Sequence, residues 1–224
     1  MFDITLRRFK DRLVEPVARI VPPWVSPDLV TLAAFVFGLS SCYTAAFSDS
    51  STWPVFLWLV NRALDSLDGT LARQRATATE LGGFLDLLGD FIVYSLIPIA
   101  IAYGQDLRPT NLPLIDDNNI RLDWRSVAVL EATFHINNFI LFYIPAVAVK
   151  QPRGNKELTS VAMLPALVEG FESGLIFTAM LVWRRFVGPL CLGMSAAVAI
   201  GIVQRVWYLA GALKRVDRTR SKST

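Results

Sequence analysis

Eight residues within one short stretch have the types and gaps to do chemistry: Asp65, Asp68, Gly69, Ala72, Arg73, Gly82, Asp86 and Asp90. They read D-x2-D-G-x2-A-R-x8-G-x3-D-x3-D, inside or beside strongly apolar sequence. An ionised aspartate at membrane depth costs a few kcal/mol or more. Four together cannot stay bare anions, because mutual repulsion forces protons onto some unless cations lie between them. Asp65 and Asp68 are three residues apart and Asp86 and Asp90 four, so on helices each pair shares a face. Two such helices facing each other present a ring of hard oxygen ligands of the kind Mg²⁺, Mn²⁺ or Ca²⁺ prefers.

The elements that must carry these residues follow from composition. The 224-residue chain is 53% hydrophobic and 18% charged, with mean hydropathy +0.44, whereas soluble domains hold about 25% charged residues. Six apolar spans approach the roughly 20 residues needed to cross a bilayer: 28–48, 52–74, 81–104, 126–149, 160–183 and 188–212. The expected fold is an all-α membrane protein, a single domain over 1–224. It comprises an interfacial helix in 1–23, a six-helix bundle in 28–212 and a basic tail in 213–224.

Orientation follows from lysine and arginine placement. Arg7, Arg8, Lys10, Arg12 and Arg19 precede span 1, and Arg73 and Arg75 follow span 2. Lys150, Arg153 and Lys156 follow span 4, and Lys214, Arg215, Arg218, Arg220 and Lys222 form the tail. These fifteen lie on one side; Arg108, Arg121, Arg125, Arg184 and Arg185 lie on the other. Both termini are therefore expected in the cytoplasm. The net charge of +3 is a topology signal, and no nucleic-acid partner is called for.

Residues 1–23 lack the unbroken apolar core of a signal peptide. Phe2, Leu6, Phe9, Leu13, Val17 and Ile20 recur every three or four residues between basic ones, the pattern of a helix lying in the interface. Pro16 is expected to kink it. Pro22-Pro23-Trp24 breaks it, and Ser26 with Pro27 starts the next helix. Cys42 and Cys191, both within spans, read as small core residues. The 105–125 loop, with Pro109 and Pro113, carries no assigned chemistry.

Asp65 and Asp68 fall near the cytoplasmic end of span 2. Asp86 and Asp90 fall roughly 8 and 14 Å into span 3, at 1.5 Å per residue. All four can meet at one level. Gly69, Gly82 and Ala72 leave space beside them, and the Arg73 guanidinium can reach a phosphate or a carboxylate. A polar seam joining helices is one reading, but four carboxylates beside Arg62 and Arg73 are too anionic for it. A divalent-cation transporter would pass the ion through. An enzyme would use it to clamp a diphosphate. An intramembrane prenyltransferase would want N-x3-D-x3-D; Asn61 and Asp65 begin that pattern, but position 69 is glycine.

The spaced string resembles the signature of the CDP-alcohol phosphotransferase family, integral membrane enzymes of phospholipid synthesis. At residue frequencies of roughly a twentieth each, eight fixed positions recur by chance about once in tens of billions of windows. The resemblance implies transfer of a phosphoalcohol from a CDP-alcohol, such as CDP-diacylglycerol, to an acceptor hydroxyl with release of CMP. It implies two divalent ions, Mg²⁺ or Mn²⁺, on Asp65, Asp68 and Asp86 with Asp90 near the second, and Asp90 as general base. It implies a nucleotide flanked by Asp65, Gly69, Ala72, Arg73 and Gly82, and a homodimer. Upstream, Pro27-Asp28-Leu29-Val30-Thr31 is similar to the family's P-N-x-x-T stretch beside the nucleotide, with Asp28 where Asn is usual. A carboxylate cannot donate as an amide does. That leaves Asp28 either a nucleotide contact or a cap for span 1.

For the small alcohol acceptor, polar residues at membrane depth are the candidates: Glu131, His135, Asn137 and Asn138 in span 4, Glu169 and Glu172 in span 5, and Gln204 and Arg205 in span 6. Glu131, His135 and Asn138 share a stripe, and Glu169 and Glu172 share a face that can pair with Arg205. Each also has a purely packing role available. As a pocket they favour a neutral polyol or amino alcohol over a sugar phosphate. The topology predicts that residues 105–125 and the Asp49–Thr52 turn lie outside. Cysteine labelling on a Cys42→Ser, Cys191→Ser background checks this, and external labelling of a cysteine placed at Gly154 contradicts it.

Overall fold

The structure is a computed structural model that describes residues 14–107, 124–149 and 170–221. Every regular element among the described residues is helical. Residues 14–20 form α1. It is followed by α2 (Pro27–Phe47), α3 (Thr52–Gln74), α4 (Glu80–Leu107), α5 (Trp124–Val149), α6 (Gly170–Val182), a 3₁₀ turn (Arg184–Phe186) and α7 (Val187–Ser221). Four stretches among the described residues are long and apolar enough to cross a membrane: Pro27–Phe47, Glu80–Leu107, Trp124–Ile144 and Arg184–Gly211. α3 has the length, 23 residues, but Arg62, Asp65, Asp68 and Arg73 dilute its hydropathy. The fifth expected span lies partly outside the described residues. Helix continues from the sixth expected span into the basic tail, past 212 to Ser221. Residues 213–220 contain neither glycine nor proline to stop it.

The described chain groups into two compact units, Met1–Trp124 with Gly174–Gly188, and Arg125–Ser173 with Pro189–Thr224. In the first, α2 packs on both α3 and α4. Gly38 permits this approach: a Cβ there would sit 2.6 Å from Val93 Cγ2 and 3.0 Å from Asn61 Nδ2. Buried polar side chains tie the helices where no water can serve the backbone. Asn61 Nδ2 donates to Ala34 O at 2.7 Å and Ser41 Oγ to Pro54 O at 2.8 Å. Trp58, fully buried, donates to Thr178 Oγ1 at 2.9 Å. Its ring meets Tyr94 and Phe177 edge-on at 6.0 and 6.1 Å. Leu29, Leu32, Val36, Leu39, Tyr43 and Phe47 leave an exposed apolar stripe down α2. A stripe of that extent suits lipid rather than water. Cys42 and Cys191 are buried and free, as expected. In the second unit, Leu130, Ile144, Cys191 and Met194 are buried.

Ser26 caps α2, its side chain accepting from Leu29 N at 3.2 Å with Pro27 opening the helix. Asp28 lies in the first turn and is not the cap. Ala18, Val30 and Leu71 form a small core with Val21, Val25, Leu64 and Leu67 around them. This docks α1, while Val17 and Ile20 stay exposed. Arg75 fixes the break between α1 and α2. Its guanidinium donates to Val25 O at 2.5 Å, Val21 O at 2.9 Å and Pro22 O at 3.0 Å.

The α3–α4 link is short and fully bonded. Thr77 N donates to Ala72 O at 3.0 Å and Ala76 N to Arg73 O at 3.3 Å. This is the paired pattern that closes a helix through a left-handed residue. Here that residue is Ala76, at φ 53°, where glycine is usual. Thr79 then caps α4, its Oγ1 accepting from Gly82 N at 3.0 Å. Left-handed backbone costs a non-glycine residue about 1–2 kcal/mol. Ala76→Gly is therefore expected to raise thermal stability by up to about 1 kcal/mol, and Ala76→Val to lower it. Thermal unfolding in one detergent checks both; a less stable Ala76→Gly protein contradicts the strain.

Candidate active site

Six of the string's eight residues, all but Asp65 and Asp90, line one cleft where α2, α3 and α4 meet. A cleft of about 170 Å³ is lined by Asp28, Thr31, Asp68, Gly69, Ala72, Arg73, Gly82 and Asp86, with Thr77 and Thr79 of the link at its rim. Thr31 Oγ1 reaches both Asp68 Oδ2 at 2.6 Å and Pro27 O at 3.2 Å. A hydroxyl has one proton to give, and the shorter contact to a carboxylate takes it. Asp68 Oδ1 accepts from the backbone N of Gly69. Asp68 is thus fixed on both oxygens and buried, at 4% exposure.

The glycines make room. A Cβ on Gly69 would lie 3.3 Å from Arg73 Nη1, and one on Gly82 would lie 3.1 Å from Thr79 Oγ1 and 3.2 Å from Asp28 Oδ1. Arg73 folds back one turn over Gly69 and donates to Thr70 Oγ1 at 3.2 Å. Asp28, which replaces the family's Asn, is exposed in the cleft wall, opposite Gly82.

Asp90 is placed differently from its three companions. Arg62 grips it on two edges, Nη2 to Oδ1 at 2.5 Å and Nη1 to Oδ2 at 3.2 Å. Arg62 Nη1 also stands 3.7 Å from Asp65 Oδ2. The sequence reading treated Arg62 as nearby countercharge alone. Its signal was a lone arginine directly before the acidic string, but the partner lies 28 residues on.

The donor types are those hard divalent ions prefer. Asp86 shares the site with Asp65 and feels the charges of Asp68 and Asp90. Like charges gathered in one place favour a proton or a cation among them. Among the described residues no group of three acidic, histidine or cysteine side chains is placed to hold a metal ion. Arg62 occupies the ground between Asp65 and Asp90. The string's carboxylates outside the two-point grip of Arg62 are Asp65, Asp68 and Asp86.

Beside the cleft runs an apolar groove of about 260 Å³ between α2 and α4, lined by Leu32, Phe35, Leu85, Leu88, Gly89 and Ile92. Asp28, Thr31 and Gly82 line both spaces, so the two are continuous.

Residues 24–183 match the family profile described as CDP-alcohol phosphatidyltransferase. The chain belongs to this family. It is 31% identical over 213 residues to the inner membrane protein YnjF of Escherichia coli, covering 94% of this chain and 96% of that one. Over 86 residues it is 33% identical to a CDP-diacylglycerol–serine O-phosphatidyltransferase of Helicobacter pylori, 38% of this chain and 35% of the other. A bifunctional IPC transferase and DIPP synthase of Thermococcus kodakarensis is 27% identical over 103 residues, 46% of this chain and 23% of that one. With four membrane-length apolar helices, the chain is an integral membrane enzyme of the CDP-alcohol phosphatidyltransferase family.

The expected acceptor residues are less gathered. Glu131, His135, Glu172 and Arg205 fall in the second unit, and Glu169 lies outside the described residues. Arg205 is buried and donates to Asn137 Oδ1 at 2.6 Å. His135 is exposed on α5. Asn137 of α5 is thus one partner of Arg205; of its expected partners, Glu169 lies outside the described residues.

A hydrogen bond to a charged group contributes about 1.5–3 kcal/mol. Thr31→Val keeps the shape and removes the donor to Asp68. Its affinity for CMP in the presence of Mn²⁺ is expected to fall about tenfold or more by calorimetric titration. Unchanged affinity means Thr31 does not orient Asp68.

Proposed function

We propose that this chain transfers the phosphatidyl group of a CDP-alcohol such as CDP-diacylglycerol to a small alcohol, releasing CMP, in phospholipid biosynthesis. The observation that carries this reading is that six of the eight string residues line one cleft, which shares Asp28, Thr31 and Gly82 with an adjoining apolar groove. The cleft suits a polar diphosphate and nucleotide, and the groove suits the apolar part of the same molecule.

Asp65, Asp68 and Asp86 would hold divalent ions, Mg²⁺ or Mn²⁺, which neutralise the diphosphate and stabilise charge on departing CMP. Gly69, Ala72 and Gly82 leave the space the nucleotide needs, with Asp28 and Thr31 at its other wall. Arg73, at the exposed end of α3, supplies a cation to the phosphates. Asp90 takes the proton of the acceptor hydroxyl. The acceptor oxygen bonds to the phosphorus of the phosphatidyl group, the bond from that phosphorus to the CMP oxygen breaks, and its electron pair leaves with CMP. Asp90 then returns its proton to water.

A neutral polyol or amino alcohol is the proposed acceptor, drawn from the polar residues of the second unit; serine, named in the Helicobacter relative, belongs on the test panel. The membrane layout proposed is six spans with α3 as the polar second, an interfacial helix at the start, cytoplasmic termini and a homodimer. Incubating the purified protein with CDP-diacylglycerol and a panel of alcohols tests the reaction by its lipid product and by CMP release.

Activity is expected to vanish in EDTA and return with Mg²⁺ or Mn²⁺; full turnover in chelator sinks the metal assignment. Asp90→Asn is expected to bind CDP-diacylglycerol with metal yet to turn over about 10²–10⁴-fold more slowly. Asp65→Asn is expected to impair nucleotide binding itself. Near-normal turnover of Asp90→Asn, or loss of binding as complete as that of Asp65→Asn, removes Asp90 from the role of base.

A further inference from the structure

Arg62 is engaged on every edge of its guanidinium. Besides its two bonds to Asp90, Nη1 donates to Tyr94 Oη at 2.6 Å and Nε to Asn61 Oδ1 at 2.7 Å. The group lies over the rings of Trp58 and Tyr94, 4.7 and 5.0 Å from their centroids. These partners are themselves held. Asn61 donates onward to Ala34 O, Trp58 to Thr178, and Tyr94 packs against Phe177 at 5.0 Å. An ion pair that only joined α3 to α4 would not need this brace. Here two rings and an amide settle which way one guanidinium faces.

We propose that Arg62 is the positioning residue for Asp90, locking the plane and rotamer of that carboxylate through a two-point grip. The inference rests on Asp90 being the base. A carboxylate offers about four lone-pair sites; the fork uses two and leaves one on each oxygen for the acceptor's proton. The same guanidinium stands between Asp90 and Asp65. It therefore separates one carboxylate for proton transfer from three for cations. Lysine cannot replace it, since an ammonium is a point charge without a planar fork.

The full-length chain in detergent, with CDP-diacylglycerol and its best acceptor, tests this. Arg62→Gln is expected to lower kcat about 10–100-fold, the usual effect of losing an orienting partner. KM for CDP-diacylglycerol, and CMP affinity in Mn²⁺ by calorimetry, are expected to stay within about threefold. Arg62→Lys is expected to recover less than about a tenth of the wild-type kcat. In an Asp90→Asn background, adding Arg62→Gln is expected to cost no more than about twofold, because the residue acts through Asp90. Equal losses in kcat and CMP affinity, or additive losses in the double variant, overturn the proposal. If Arg62→Gln does not fold, Tyr94→Phe, which removes one brace of the guanidinium, carries the test. A smaller loss confined to kcat supports the proposal, and an unchanged kcat overturns it. A wild-type chain that transfers to no alcohol sinks the transferase reading itself. A wild type that turns over while Arg62→Gln keeps more than half its kcat sinks the positioning role alone.

Discussion

Crowding of carboxylates in an apolar bundle is the constraint on which the rest of this structure depends. Two unit charges 4 Å apart interact by about 4 kcal/mol at an effective dielectric of 20. Asp68 and Asp86 each lie within the field of the other carboxylates of the string. The protein meets this with donors of graded strength. A hydroxyl and a backbone amide hold Asp68. A braced guanidinium holds Asp90. Asp65 stands at the edge of the same guanidinium, 3.7 Å from Arg62 Nη1. The charge distribution makes the aspartates unequal although the sequence presents four of one kind.

Close helix approach makes that arrangement possible. Gly38 lets α2 come within contact of Val93 on α4 and Asn61 on α3. Asn61 then serves twice, holding the α2 backbone at Ala34 and steadying Arg62. Packing and electrostatics are coupled at this residue: a wider helix spacing would release the amide and, with it, one brace of the guanidinium. Trp58 works the same way. It fills the core between helices and presents its ring face to the same cation.

The link from Arg75 to Thr79 carries the second coupling. It ends α3, starts α4 and contributes Thr77 and Thr79 to the cleft. Arg75 binds it to the carbonyls before α2. The three helix ends that form the cleft are thereby joined by directional bonds instead of by apolar contact, which slides more easily. The continuous apolar groove begins at the same place, so a molecule with a charged head and an apolar body meets both environments at once.

The helices α2 to α5 and most of the cleft lining were legible in the sequence. Its apolar spans set α2 to α5 within a few residues, because a bilayer admits few alternatives to a helix of that length. Six residues of the eight-residue string line the cleft, because glycine, alanine and aspartate at those gaps leave space and charge on one helix face. What only tertiary structure decided were pairings between residues far apart in the chain. Arg62 meets Asp90, Thr31 meets Asp68, and Arg205 meets Asn137. No local pattern encodes such a partner; it follows from the register at which two helices pack. The end of α7 at Ser221 is likewise not marked by hydropathy. Hydropathy marks where lipid ends, whereas a helix stops where its backbone is broken, and in this chain those two points differ.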